Sequence, residues 1–271
     1  MLPLSEFDKI KELVYSYAGI SLKDSRLDFL SRRVYSRMKA LDLKEVRDYL
    51  RFVIFDRSGK EMEELINLIV VSESYFFRDY PQLKLLAEEM LPEIVREKGG
   101  NRKLSILCAG CSTGEEPYTL AIILNEMLDD ADEWRLRIDG LDINKNSLHK
   151  AREGVYTDHA LRETPYAYRD RYFTKKDDLN ALSPDVMKMV GFMRGNLFNG
   201  NQMSGFLVYD IVLCRNVLIY FDYASAEKVL EYLYGLMNPG GYIFLGSAES
   251  VGRLTNLFTM VRFGKSFVYQ K

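Results

Sequence analysis

The chain has 271 residues, of which 47% are hydrophobic and 28% are charged, and its 37 basic and 39 acidic side chains leave a formal net charge of −2. This composition is typical of a globular protein with one large domain or two modest ones, and it argues against a general nucleic-acid binder. Because its three cysteines are an odd number, its start lacks a secretory pattern and its apolar stretches are short, we expect a cytoplasmic protein that does not cross a membrane.

The first ~80 residues are predicted to form a small all-helical domain, 1–79, because apolar residues recur at helical spacing in four successive stretches. The second predicted helix begins near Asp24 and is rich in cations, since the segment 23–39 has six basic and two acidic residues. Its Arg26, Arg33 and Arg37 fall on one face, opposite the apolar stripe. That face is either a docking surface or an ordinary solvated surface.

From Tyr80 onward strands alternate with helices, which is typical of a parallel sheet covered on both faces. We therefore predict an α/β domain over 80–271. Strands are predicted over 104–108, 138–141, 210–214 and 242–245, helices over 83–97, 115–128, 146–153 and 224–237, and a closing hairpin over 258–262 and 266–269. Between 162 and 193 the helical periodicity fails, so we expect a small inserted subdomain there.

The segment 107–118, Leu-Cys-Ala-Gly-Cys-Ser-Thr-Gly-Glu-Glu-Pro-Tyr, joins the first strand to the following helix. A turn around Gly110 would lie at the carboxyl edge of a parallel sheet, where such folds bind nucleotide-like cofactors. Because Glu115 and Glu116 occupy the first helical turn, they would repel a pyrophosphate and favour a ligand with a positive group, such as S-adenosylmethionine. Alternatively, the two glutamates simply complement the helix dipole.

Asp142 follows the second strand, where an acid can accept hydrogen bonds from both hydroxyls of an adenosine ribose. Alternatively, it is an exposed acid or the N-cap of the helix after Asn144. Cys108 and Cys111 form a Cys-x-x-Cys pair, but the chain has only one further cysteine, and its two histidines have no ligand spacing. We therefore expect two small buried residues here and no metal site.

Several motifs come in the order and spacing of one known family. They are 72–78 (Ser-Glu-Ser-Tyr-Phe-Phe-Arg), 109–118, 142–144 (Asp-Ile-Asn), 171–173 (Arg-Tyr-Phe), 196–197 (Asn-Leu) and 214–222 (Cys-Arg-Asn-Val-Leu-Ile-Tyr-Phe-Asp). Over nearly the whole chain, the sequence resembles the chemotaxis receptor methyltransferases, the CheR family. The resemblance implies an α/β fold: a Rossmann-like class I methyltransferase sheet with an antiparallel last strand, a small all-helical amino-terminal domain and a small inserted β subdomain.

The resemblance also implies a reaction and its residues. Members of this family transfer a methyl group from S-adenosylmethionine to glutamate side-chain carboxylates of bacterial chemoreceptors, without a metal. The family usually has Asn at the position of Ser72, so a direct hydrogen bond to the cofactor is lost there or replaced by water. The implied cofactor site comprises Ser72, Ser74, Arg78, Gly110, Glu116, Asp142, Asn196, Leu197, Arg215 and Asn216, with Arg78 and Tyr220 near the transferable methyl group as the catalytic residues.

Chemoreceptor cytoplasmic regions are acidic helical hairpins, so the resemblance implies that the face of Arg26, Arg33 and Arg37 docks one. Family members that grip a tethering peptide at the receptor's carboxyl terminus have a glycine-rich turn in the insert, whereas residues 174–190 contain no glycine. We therefore predict independence of a tether, and no nucleic-acid partner. The alternatives are a methyltransferase for another acceptor and a non-catalytic cofactor-binding module, while the carboxylates of the turn disfavour a dinucleotide oxidoreductase.

Overall fold

The computed structural model describes residues 1–128, 130–200, 208–252, 254–264 and 266–271. Its amino-terminal part is helical: α1 is Leu4–Ala18, α2 is Leu27–Ala40, α3 is Val46–Phe55 and α4 is Lys60–Ile69. The four apolar stripes meet in one buried cluster that includes Phe7, Leu30, Tyr49 and Leu65. A 3-10 turn, Asp24–Arg26, precedes α2, so the second helix starts three residues later than its sequence pattern predicts.

The second part begins with α5, Tyr80–Leu85, which continues through a π-helical turn, Leu86–Met90, into α6, Leu91–Lys98. The sequence predicts one helix here, and Pro92 explains the π turn: proline has no N–H to donate, and its ring would collide with the carbonyl four residues earlier. The elements that follow are β1 Lys103–Ala109, α7 Glu115–Met127, β2 Arg135–Asp142, α8 Lys145–Glu153, β3 Val155–Tyr156, α9 Tyr166–Tyr172, β4 Phe173–Lys176, β5 Leu179–Leu182, α10 Pro184–Lys188, β6 Val190–Arg194, β7 Tyr209–Cys214, α11 Tyr223–Gly235, β8 Met237–Leu245, β9 Thr259–Phe263 and β10 Ser266–Gln270.

Seven of these strands form one sheet in the order β6-β2-β1-β7-β8-β10-β9. The first five are parallel, whereas β10 runs antiparallel to β8 and to β9. This is the predicted α/β fold, including its antiparallel last strand. Because β1, β2 and β7 are parallel neighbours, the loops that follow them all emerge at the same carboxyl edge of the sheet.

The insert is a separate three-stranded sheet in the order β3-β5-β4. Its boundaries differ from the predicted 162–193 at both ends, since β3 already starts at Val155 and Val190–Arg194 is the edge strand β6 of the main sheet. The strand β6 was missed because its residues are half-exposed and include Gly191, so they lack the alternating pattern of a typical strand. Only its pairing with β2 reveals it.

The helical domain lies over the carboxyl edge of the main sheet. Ile20 and Phe221 form an isolated antiparallel bridge, and Ser21 N donates to Tyr220 O at 2.9 Å. Asn196 Nδ2 donates to Tyr17 O at 2.6 Å. Residues at this junction, including Ile20 and Phe221, form one wall of a cavity. Among the described residues, no helix combines the length and the apolar character that a membrane crossing needs.

Candidate functional site

One cavity of about 560 Å³ lies between the helical domain and the carboxyl edge of the main sheet. Every residue that the sequence assigns to the cofactor site lines it, from Ser72 to Asn216, and so does Tyr220. Of the three arginines predicted to dock a partner, Arg26 lines the cavity and Arg33 and Arg37 do not. Because the motifs lie far apart in sequence, their shared cavity is a result of the fold.

The glycine turn after β1 is fixed by backbone geometry. Gly110 has φ 82°, and Gly110 N and Cys111 N both donate to Leu141 O, at 2.7 and 3.0 Å. A Cβ at Gly110 would lie 2.4 Å from a methyl carbon of Val217, so both the positive φ and the lack of space require glycine. The turn thereby brings the β1 and β7 loops into contact at the bottom of the cavity.

The two glutamates that follow this turn have different environments. Glu115 is buried, accepts from Thr113 Oγ1 at 2.7 Å and does not line the cavity, whereas Glu116 does. Glu116 Oε2 also accepts from Arg215 Nη1 at 3.0 Å. The sequence-based picture of two carboxylates facing a cationic ligand is therefore wrong for Glu115, because adjacent helical residues lie ~100° apart and only one faces the ligand side.

Burial raises the pKa of both glutamates, and Arg215 counteracts the effect at Glu116. The negative charge available to a cofactor at this helix start is thus one carboxylate, half-buried and already partnered by an arginine.

Asp142 is neither exposed nor a helix cap. It is buried, and its carboxylate accepts from Ser112 N and from Asn144 N, both at 2.8 Å. The N-cap of α8 is Asn144, whose side chain accepts from Asn146 N and Ser147 N. Burial raises the pKa of Asp142, while the hydrogen bonds lower it. Since a carboxylate can accept about four hydrogen bonds, two remain for hydroxyl groups of a ligand.

Three polar atoms of residues that line the cavity are buried without a hydrogen-bond partner among the described residues. One is Arg215 Nε, and the other two are Ser112 Oγ and Asn216 Oδ1. The last two residues have left-handed backbones, with φ 52° at Ser112 and φ 60° at Asn216. Buried polar atoms are nearly always paired, so these atoms point to a missing ligand, and strained backbones are enriched at binding sites. Sequence reasoning missed Ser112, whose position within the 107–118 motif was the only signal.

Arg215 is the central connector of the site. Its side chain is 3% exposed, and besides Glu116 it donates from Nη2 to Arg78 O and to Asp79 Oδ2, both at 2.7 Å. It therefore holds the segment that carries Arg78 against the start of α7. The four residues Glu116, Asp142, Arg215 and Asn216 are called the cavity floor below.

The side chains of two further predicted site residues form hydrogen bonds within the protein. Ser72 Oγ lies 2.7 Å from Ser147 Oγ, so the shorter side chain at this family position contacts α8. Asn196 donates to Tyr17 O and accepts from Phe198 N at 3.0 Å, which leaves one donor and one acceptor position of its amide free in principle.

The opposite end of the cavity is exposed and basic. This cavity mouth consists of Lys23, Arg26, Phe29, Val71, Glu73 and Ile219, so it has two cations and one acid. Neither cation of the mouth forms a salt bridge within the described ranges. The Cζ atoms of Arg26 and Arg33 lie 5.4 and 4.1 Å from the centroid of the Phe29 ring, so these two arginines share one surface.

Arg37 does not belong to this surface. It donates from Nε and Nη2 to the buried Glu61 at 2.9 and 2.7 Å, and Tyr49 donates to the same carboxylate at 2.9 Å. The sequence pattern placed it beside Arg26 and Arg33 because helical spacing does not reveal a partner on another helix. The guanidinium of Arg37 instead ties α2 to α4.

Comparison with known proteins identifies the family. The model of the CheR methyltransferase SAM-binding domain matches residues 72–267, and that of the CheR methyltransferase all-alpha domain matches residues 5–70. The chain belongs to the CheR methyltransferase family. It is 33% identical over 268 residues to chemotaxis protein methyltransferase 2 of Vibrio cholerae, covering 98% of this chain and 93% of that protein.

Two further relatives differ in how much of their own length is matched by this chain. Identity to the chemotaxis protein methyltransferase of Vibrio parahaemolyticus is 31% over 269 residues, covering 98% of this chain and 96% of that protein. A probable biofilm formation methyltransferase, WspC of Pseudomonas aeruginosa, is 35% identical over 247 residues, which cover 90% of this chain and 56% of the relative. The chain therefore spans about half the length of that relative.

The cavity of this CheR methyltransferase suits S-adenosylmethionine. The molecule has two ribose hydroxyls that match the free acceptor positions of Asp142, and an ammonium that matches the carboxylate of Glu116. Ser112 Oγ and Asn216 Oδ1, which belong to residues of the cavity lining, are further polar atoms without a partner among the described residues. The described residues contain no cluster of His, Cys, Asp and Glu that could hold a metal ion.

Proposed function

We propose that this chain transfers the methyl group of S-adenosylmethionine to glutamate side chains of bacterial chemoreceptors and forms glutamate methyl esters. The observation that carries the proposal is the division of charge along one cavity. The floor has two carboxylates and one arginine, whereas the mouth has two cations that are unpaired in the described part of the chain and one carboxylate, Glu73. A cationic cofactor suits the floor and an anionic acceptor suits the mouth, since opposite charges attract strongly where water is partly excluded.

The cofactor would be held by residues from five of the six motifs. Asp142 would accept from the ribose hydroxyls, Glu116 would face the ammonium, and Asn216 would use its free Oδ1. Ser72, Ser74, Gly110, Asn196, Leu197 and Arg215 complete the proposed cofactor site. When bound, S-adenosylmethionine supplies a methyl group on a sulfonium, which is the electrophile of the reaction.

The acceptor needs no general base. A glutamate with a pKa of about 4.3 is ionised at neutral pH, so its oxygen is already a nucleophile. Neither histidine of the chain, His149 or His159, lines the cavity. The remaining demands are in-line placement of the carboxylate and removal of its water.

Arg78 and Tyr220, which both line the cavity, are the proposed catalytic residues. Burial raises the pKa of Tyr220, so its hydroxyl stays protonated and can donate a hydrogen bond to the carboxylate. A guanidinium bound too tightly to the acceptor would weaken the nucleophile, so we assign Arg78 an orienting role and a contact with the cofactor.

The partner would be the acidic helical region of a receptor, docked on Arg26 and Arg33. The exposed Val71 and Ile219 flank the entrance and offer apolar contact to the neighbours of the target glutamate. We propose that docking does not require a tethering peptide. The turn between β4 and β5 has Asp177 at φ 53° rather than a glycine-rich loop.

The test is incubation of the purified protein with S-adenosylmethionine labelled on the methyl group and with cytoplasmic fragments of chemoreceptors. We expect label on glutamate residues, released by mild base as expected for an ester. Tyr220→Phe should reduce turnover and leave adenosylhomocysteine binding nearly intact. Label on another side chain, or none in any receptor, would contradict the proposal.

The similarity to WspC favours a second candidate, a receptor from a signalling system other than chemotaxis. A receptor fragment from such a system, placed in the same assay, distinguishes the two by the ratio of the kcat/KM values. A polynucleotide acceptor is excluded if the protein shows no salt-dependent binding of nucleic acid.

A further inference from the structure

The segment that carries Arg78 is fastened to the insert. Phe76 N donates to Ala160 O at 2.9 Å, and the buried Phe76 ring packs edge-on against Tyr156 and Phe173 at centroid distances of 4.8 and 5.0 Å. Phe77 stacks on Tyr168 at 5.5 Å. The insert therefore forms the support on which residues 75–78 lie.

One contact links the surface of the insert to Arg78 itself. The guanidinium carbon of Arg162 lies 3.6 Å from the centroid of the Tyr75 ring, and that of Arg78 lies 5.5 Å from the same centroid. Tyr75 and Arg78 line the cavity, whereas Arg162 is exposed and outside it. Among the described residues, the Arg78 side chain makes one hydrogen bond, and it is a long one, from Nη1 to Glu73 O at 3.3 Å.

From this geometry we infer that Arg162 and Tyr75 are positioning residues: Arg162 fixes the Tyr75 ring, and that ring restricts the guanidinium of Arg78 to the orientation used in methyl transfer. The inference rests on the proposed function, since it takes Arg78 as the residue that orients the acceptor carboxylate. It gives the insert a role in the reaction that is separate from any docking of a peptide.

The size of the effect follows from the strength of such contacts. A guanidinium on an aromatic face at an exposed site contributes about 0.5–1 kcal/mol, which corresponds to about a 2- to 5-fold change in a rate or an equilibrium constant. Arg162→Ala should therefore lower kcat/KM for a receptor fragment about 2- to 5-fold. The dissociation constant of adenosylhomocysteine should change less than kcat/KM, since Arg162 does not reach the cavity.

The conservative variants separate positioning from general damage. Tyr75→Phe keeps the ring and should retain nearly full activity, while Tyr75→Leu removes the ring and should lose at least as much as Arg162→Ala. Arg162→Lys keeps the cation and should retain part of the activity. A matched control is Arg171→Ala, because Arg171 lies over the ring of Tyr172 at 5.5 Å on the same insert but outside the cavity. It should leave kcat/KM unchanged.

The decisive measurement is a double-mutant cycle. If Arg162 acts through the ring, Arg162→Ala has no further effect on kcat/KM in the Tyr75→Leu background. Equal effects of Arg162→Ala in both backgrounds, or unchanged activity of the single variant, would overturn the inference. Failure of the proposed function looks different, because the unmodified chain would then esterify no receptor glutamate at all.

Discussion

The charged groups at the floor of the cavity differ from those at its mouth in burial and in hydrogen bonding. At the floor the charged groups are buried or half-buried and hydrogen-bonded within the protein. Arg215 donates to Glu116 and to the neighbouring Asp79, and Asp142 accepts from two backbone amides. At the mouth, Lys23 and Arg26 are exposed and make no ion pair with any described residue. A preorganised floor suits one small ligand of fixed shape, whereas free surface cations suit a large partner that brings its own charges.

Replacing Arg215 should have the largest effect on stability, because its side chain bonds to several groups at the floor of the cavity. Arg215→Met leaves the carboxylates of Glu116 and Asp79 without their partner, and we expect the free energy of unfolding to fall by about 3 kcal/mol. Denaturant titration measures it. The matched control is Arg194→Met, which breaks a more exposed pair with Glu63 and should cost at most about 1 kcal/mol. Equal losses would show that the floor is no more organised than the surface.

The next prediction concerns ligand binding at the floor. Asp142→Asn replaces a charged acceptor by a neutral amide, so the dissociation constant of adenosylhomocysteine should rise about tenfold or more in calorimetry. Asp210→Asn is the control, because Asp210 is also bonded, to Lys98 and Ser105, but lies at the amino end of β7. It should lower stability without changing the affinity. If Asp142→Asn binds adenosylhomocysteine with unchanged affinity, the proposal that Asp142 accepts hydrogen bonds from the ribose hydroxyls is wrong.

A smaller effect is expected at the mouth. Arg26→Glu should lower kcat/KM for an acidic receptor fragment about 3- to 10-fold and flatten its dependence on salt, since rim charges act mainly on association. Adenosylhomocysteine affinity should not change. Arg51→Glu, on the exposed face of α3, makes the same change of charge away from the cavity. If it is equally harmful, the mouth is not the docking surface.

The smallest effect is a pH dependence of cofactor binding. Burial raises the pKa of Asp142 above the ordinary value of 3.8, so on acidification its ionised fraction falls at a higher pH than that of an exposed aspartate. Adenosylhomocysteine binding should therefore weaken as the pH falls toward this raised pKa and be fully present above it. In Asp142→Asn the contribution of Asp142 to this pH dependence should be lost, while that of Glu116, whose pKa burial also raises, should remain. If Asp142→Asn binds adenosylhomocysteine with the same pH profile as the unmodified protein, the titrating group is not Asp142.

Both regions could be recognised in part from the sequence. The motif around Gly110 predicts a cofactor site because a strand, a glycine turn and a helix follow one another directly in the chain. The position of Asp142 at a strand end is similarly local. For the mouth, the sequence shows the excess of cations in 23–39. It does not show that Arg37 lies outside this surface, since the partner of Arg37, Glu61, belongs to another helix.

Local spacing and residue type determined the order of helices and strands, the place of the cofactor turn and the presence of a basic helix, because these depend on neighbours within one or two turns of chain. Tertiary packing decided which of Glu115 and Glu116 faces the cavity, that Val190–Arg194 joins the main sheet, and that Tyr75 links the insert to Arg78. These outcomes depend on contacts between residues far apart in the chain, and the direction in which a side chain points is set by what packs behind it.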